Sequence, residues 1–183
     1  NNHPYRPAII FRMAEAYLSY AEALNESSER MSHKQEILDN LNKIRHRAGI
    51  AEYGTGTDEN GFTRIKINFS DQKEVRRLIH KERRVEFVGE GVRYHDLRRW
   101  KTAHYGIGNL NEQGENPDWG VNGPDYGMNY YGTEYTDQGD NAFFKRTKYM
   151  DRVYPRKFYW YPIHQSEIDK DPTLVQGPFW LGE

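Results

Sequence analysis

Leu78-Ile79-His80-Lys81-Glu82-Arg83-Arg84-Val85-Glu86-Phe87-Val88-Gly89-Glu90-Gly91-Val92-Arg93-Tyr94-His95-Asp96-Leu97-Arg98-Arg99-Trp100 is the stretch on which the reading of this chain turns. Val75, Leu78, Ile79, Glu82 and Glu86 recur at three- and four-residue spacing, so residues 71–88 read as a helix, capped by Ser70 or Asp71. Gly89 and Gly91 break it, and Val92, Leu97 and Trp100 predict a further helix over 92–103. Glu82 and Glu86, four apart, share one helix face with Leu78 and Ile79. Two carboxylates on one face could serve as the acid and base of a glycosidase. The surrounding arginines favour a salt-bridge lattice between helices, because cations hold carboxylates ionised and unable to donate protons.

Upstream, residues 8–26 carry a stripe of Met13, Tyr17, Ala21 and Leu24, with Ala14 and Leu18 beside it. Residues 34–48 carry Ile37, Leu38, Leu41, Ile44 and Ala48, and Gly49 supplies the stop. Two amphipathic helices joined by a short connection predict a helical hairpin the size of a tetratricopeptide unit. Residues 50–70 are an inserted loop in which Arg64–Phe69 alternates like an edge strand. The fold class is therefore mainly α: tetratricopeptide-like helical hairpins with long irregular loop excursions. Residues 1–104 read as the scaffold and residues 105–183 as its loop-rich, aromatic continuation. In that continuation residues 158–163 read as an extended aromatic run, and Ser166 as the cap of one short helical turn.

Composition agrees with a scaffold that has a thin core. Leu, Ile, Val and Phe make up 35 of 183 residues, yet the net charge is only −1 and aromatics reach 14%. Folding rather than disorder follows. No apolar run approaches the roughly 18 residues of a membrane span. The absence of cysteine excludes disulfides, zinc-thiolate sites and thiol nucleophiles within the chain. Residues 74–101 carry nine Lys or Arg, but five acids are interleaved, and the overall pI is about 6.7. That pattern argues against a nucleic-acid partner. No histidine pair has metal-ligand spacing, so no metal or cofactor is expected. Asp58-Glu59-Asn60-Gly61 and Asp137-Gln138-Gly139-Asp140-Asn141 are weak hints of Ca²⁺ loops.

Residues 109–141 differ in kind. They hold seven acids, no Lys or Arg, six Gly, six Asn and five aromatics. Long loops of this sort tend to carry function. Trp119, Tyr126, Tyr130 and Tyr131 could cover the apolar faces of sugar rings, while Asp125 and Asn129 bond hydroxyls. The same composition also suits packing on the helices or docking on a protein partner.

Four stretches together resemble the C-terminal part of the SusD/RagB family. They are Arg12-Met13-Ala14-Glu15-Ala16-Tyr17 through Ala23, Leu38-Asp39-Asn40-Leu41-Asn42 through Gly49, the opening motif Ile79–Trp100, and Tyr161-Pro162-Ile163 through Asp169 with Gln176-Gly177-Pro178. His164 stands where the family usually has Pro, and Gly177 where it usually has Asn. The resemblance implies a tetratricopeptide-like scaffold without catalysis, in which Glu82, Arg83, Glu86, Arg93 and Asp96 pair structurally. It further implies a surface lipoprotein of the outer membrane that lids a SusC-like TonB-dependent transporter and binds an oligosaccharide, or a peptide as in RagB. On that reading the lipid anchor, the one membrane contact, lies upstream of Asn1.

Overall fold

A computed structural model describes residues 10–103, 124–151 and 153–181. The described residues fall into two compact units divided between Glu90 and Gly91. The first holds α1 (Met13–Glu26), α2 (Lys34–Arg47) and α3 (Gln72–Glu86). The second holds α4 (Val92–Arg99), strands β1 (Pro124–Met128) and β2 (Arg146–Asp151), a 3-10 turn (Arg156–Tyr159) and α5 (Gln165–Lys170). The mainly helical class is as expected. None of the described helices is long and apolar enough to cross a membrane.

In the first unit α1 packs against both α2 and α3. Leu18 and Ala21 of α1, Ile37 and Leu41 of α2, and Val75 and Ile79 of α3 are fully buried. Each such large aliphatic side chain contributes about 1.5–3 kcal/mol of burial. The buried stripe of α1 is centred on Ala14, Leu18, Ala21 and Leu24, and Met13 is 57% exposed. The helix begins at Met13 rather than residue 8, because Arg12 is extended and its guanidinium reaches away to Glu86 and Glu90. Gly49 ends α2 with φ +66°, a left-handed conformation that strains any residue with a Cβ. Asp71 caps α3 by accepting from the backbone N–H of Lys73 (2.9 Å) and Glu74 (3.2 Å). The end of α1 is tied to the start of α3 by a reciprocal amide exchange. Gln72 Nε2 donates to the Asn25 carbonyl (2.7 Å), and Asn25 Nδ2 donates to that of Gln72 (3.3 Å).

The loop between α2 and α3 forms no regular strand. Instead of an edge strand over 64–69, single bridges join Tyr53 to Ile65 and Thr57 to Thr63. Asp58 is buried, and its carboxylate accepts from the backbone N–H of Glu52, Asn60 and Phe62 at 2.9–3.1 Å. Its oxygens are thus spent on the turn, and the Ca²⁺ hint at this position reads better as a loop organiser. Asn42 pins the loop to α2, donating to the Tyr53 carbonyl (2.9 Å) and accepting from the Tyr53 N–H (2.7 Å).

In the second unit α4 is shorter than the predicted 92–103. It closes at Trp100, after which Lys101 turns left-handed at φ +56°. Arg98 then gathers the aromatic tail. It donates to the Tyr94 hydroxyl (2.6 Å) and the Tyr159 carbonyl (2.6 Å), with its guanidinium 4.5 Å from the Tyr161 ring centroid. Residues 156–159 wind into a 3-10 turn rather than an extended run, which turns the Tyr159 hydroxyl toward the Ala103 N–H (2.9 Å). His164, not Ser166, caps α5: its Nδ1 accepts from the Ser166 N–H (3.2 Å). Gln176 pairs with Ile163 as a strand would, accepting from its N–H and donating to its carbonyl, both at 2.8 Å.

Asp58, Glu26 and Glu90 are among the described carboxyls held below the usual range. Burial acts to raise Asp58 and Glu26, but the three backbone donors outweigh it at Asp58 and the Arg76 guanidinium does so at Glu26. The hydrogen bond from Arg12 lowers Glu90 directly. A depressed folded-state pKa stabilises above the unfolded carboxyl value of about 4 and is lost as pH falls through the lower folded value. The melting temperature is therefore expected to hold level above about pH 6 and to fall progressively on titration from pH 5 downward. In Glu90→Gln it should start lower and fall less over the same window, and thermal melts across that range check both.

Candidate ligand-binding hairpin

β1 and β2 pair antiparallel, with Asp125 opposite Met150 and Tyr126 opposite Lys148, and a bulge between Asp125 and Tyr126. The connection from 129 to 145 is folded on itself by backbone bonds. Thr133 and Glu134 donate to the Asn141 carbonyl (both 2.9 Å), and Phe143 donates to that of Glu134 (2.7 Å). Ala142 is fully buried there. Gly132 lies so close to the returning strand that a Cβ would stand 2.5 Å from Phe143 Cα. Only glycine fits that approach.

The hairpin displays its aromatics instead of burying them. Tyr130 and Tyr131 are 82% and 89% exposed, edge to face with centroids 5.6 Å apart. Tyr135 is 83% exposed and leans on Phe143 and Phe144. Every residue of β2 is exposed. The cations of this strand region are engaged within the hairpin. Lys145 donates to Asp140 (2.8 Å), Lys148 to Asp151 (2.8 Å), and the Arg146 guanidinium stands 4.0 Å above the Tyr126 ring. The hydrogen bond from Lys145 holds the Asp140 carboxyl below its ordinary value.

Five of the six expected ligand residues, Asp125, Tyr126, Asn129, Tyr130 and Tyr131, therefore lie on one hairpin. Their roles divide. Tyr130 and Tyr131 present open surface, Tyr126 has Arg146 on its ring, and Asn129 donates its amide to the Asp140 carbonyl (3.2 Å) to support the connection. Asp125 lies in β1, and Trp119 lies outside the described residues. No alternation in the sequence marks the returning strand, so Phe144, Arg146 and Tyr149 are not among the expected ligand residues. The clue was Phe143-Phe144 followed by Thr147 and Tyr149, residues with high strand propensity just beyond the glycine-rich stretch.

One oxygen of each carboxylate of the α3 pair, Glu82 and Glu86, is held by arginine. Arg45 donates to Glu82 (2.6 Å), and the Tyr53 hydroxyl donates to the same oxygen (2.8 Å). Arg12 and Arg47 both reach Glu86, the latter at 2.5 Å, while Arg12 also holds Glu90 at 2.7 Å. In the second unit Arg99 donates to the buried Asp96 (2.9 Å), and Arg93 lies over Trp100. Carboxylates clamped in this way join elements. Among the described residues no three His, Cys, Asp or Glu side chains gather to hold a metal.

The SusD family profile matches residues 1–180. The chain belongs to the SusD family. Curated relatives from Formosa agariphila include SusD-like protein P38, 32% identical over 103 residues, and SusD-like protein P25, 33% identical over 92 residues. These alignments cover 56% and 50% of this chain, and 19% and 15% of the respective relatives. The crystal structure of a SusD-like protein from Bacteroides fragilis superposes with a TM-score of 0.60 at 27% identity. It covers 98% of this chain and 28% of that one, so the chain spans well under a third of the solved relative. This SusD-family chain thus carries the mainly helical scaffold expected of it.

Gly132→Ala is expected to disrupt the hairpin while leaving the three-helix unit folded. Amide hydrogen exchange should lose protection at Phe143 and in β2 but not at Leu41 or Ile79.

Proposed function

We propose that this chain is part of a non-catalytic glycan-binding component of an outer-membrane nutrient-uptake system. In this reading it lies on the extracellular surface, held by a lipid-anchored segment, and presents an oligosaccharide to a SusC-like TonB-dependent transporter. The observation that supports it is the exposed Tyr130–Tyr131 pair on a hairpin whose lysines are paired with acids and whose Arg146 lies over a ring. Open aromatic faces suit the C–H face of a sugar, and compensated charge suits a neutral ligand over a phosphate or polyanion. The family relationship supports the same class of activity. No catalytic residue is assigned, because Glu82 and Glu86 are engaged by arginines from other elements of the first unit.

A second reading has its own support. Met128, Tyr149, Met150 and Val153 are also exposed on or beside the hairpin, and such apolar and aromatic surface suits docking on a protein. The partner would then be the transporter, and the hairpin itself would bind no ligand.

Isothermal titration against plant, host and microbial oligosaccharides distinguishes the two. Tyr130→Ala/Tyr131→Ala is expected to weaken glycan binding about tenfold or more, since each ring contributes on the order of 1 kcal/mol beyond its buried area. Unchanged glycan affinity together with weakened transporter assembly would establish the docking reading instead.

A further inference from the structure

A groove of about 940 Å³ lies within the first unit, between α1, α2 and the loop that Asp58 organises. It is unrelated in sequence to the hairpin. Its volume is in the range of small-ligand sites. Tyr17, Leu38, Ile67 and Phe69 supply its apolar surface, each of them only partly buried. The charged lining is balanced: Asp39, Glu52 and Glu59 face Lys43, Arg64 and Lys66. Part of that charge is spent on construction. Arg64 donates to Glu52 at 2.8 and 3.2 Å, and His46 lies 3.2 Å from the same carboxylate. The Lys43 ammonium stands 4.5 Å from the centroid of the Tyr17 ring. Glu59 and Lys66 have no such internal role.

The walls are held in advance of any ligand. Asn42 fixes Tyr53 through both of its backbone groups, and Asp58 fixes the turn through three. A preformed wall lowers the ordering cost of binding. The chemistry of the lining is also specific. A hydroxyl donates one hydrogen bond and accepts others, so it is satisfied best between a carboxylate and an ammonium. A groove offering both signs in equal number, beside aromatic and aliphatic surface, matches a ligand with hydroxyl rims and C–H faces. It offers no net attraction to a polyanion or polycation.

We infer that this groove is a second, separate binding site for a neutral oligosaccharide, with Glu59 and Lys66 bonding its hydroxyls and Phe69 covering a C–H face. The ligand class rests on the function proposed above, but the site does not depend on the hairpin.

Chemical-shift mapping of the ¹⁵N-labelled full chain tests this, using cellohexaose, laminarihexaose and mannohexaose in turn at millimolar concentration. At least one hexaose is expected to shift amides within 35–43 and 52–69. Glu59→Gln/Lys66→Met, both surface changes, should weaken that response at least fivefold. The inference is overturned if no hexaose moves those amides, or if the double variant leaves the response unchanged. It is also overturned if trialanine moves them and no hexaose does, which would mark a peptide groove. Amides within 126–149 report the hairpin independently. Shifts there with a silent groove would leave the proposed function standing and remove this site, and groove shifts with a silent hairpin would keep this site and remove the hairpin as the ligand surface.

Discussion

Glu82 lies buried on α3 with Arg45 of α2 2.6 Å away and the Tyr53 hydroxyl at 2.8 Å on the same carboxylate oxygen. These three groups come from three different stretches of chain and meet where water is excluded. Their surroundings complete the pairing. Arg45 Nε donates to the Ala51 carbonyl at 2.5 Å, and its guanidinium stacks 4.4 Å from the Tyr53 ring. Burial and the adjacent Glu82 carboxylate push the Tyr53 phenol well above its ordinary value, so it remains a hydrogen-bond donor. An ion pair in this setting adds little against a well-packed apolar alternative, but losing one partner leaves an uncompensated charge and costs several kcal/mol. The packing of α2, the loop after it and α3 is thereby made mutually dependent. Arg12 and Arg47 on Glu86 repeat the device one turn further along α3.

That dependence separates structure from recognition. The first unit uses its acids and arginines to join elements, and its aliphatics to fill one small core. The hairpin of the second unit does the reverse. Among its described residues Ala142 is the one fully buried, and the hairpin holds its shape through backbone bonds and the tight approach at Gly132. A two-stranded ribbon gains little from its own packing. Its tyrosines are therefore available to a ligand or partner, because the fold does not consume them.

The positions of α1, α2 and α3 are readable from the sequence because each buries a stripe with a 3.6-residue period. α2 and α3 end within two residues of expectation. The start of α1 was not readable, since it is set by Arg12 reaching Glu86 and Glu90, more than seventy residues away in sequence. The structural role of Glu82 and Glu86 was legible from the arginines around them, whereas Arg45 and Tyr53 as the particular partners were not. The aromatic stretch was recognisable by composition, but its strand pairing was hidden. β2 is exposed at every position and shows none of the alternation that marks a half-buried strand. The groove in the first unit left no local signal, because the loop that walls it is held by side-chain to backbone bonds from Asn42 and Asp58.

The most direct test of this account is a double-mutant cycle on the buried pair, read by urea unfolding. Arg45→Met and Glu82→Leu should each cost about 3–5 kcal/mol, because each leaves the other charge buried alone. The double variant should cost clearly less than the sum, with a coupling of at least about 1 kcal/mol. Additive costs, equal to the sum within roughly 0.5 kcal/mol, would contradict the claim that this one buried interaction makes the three elements depend on each other.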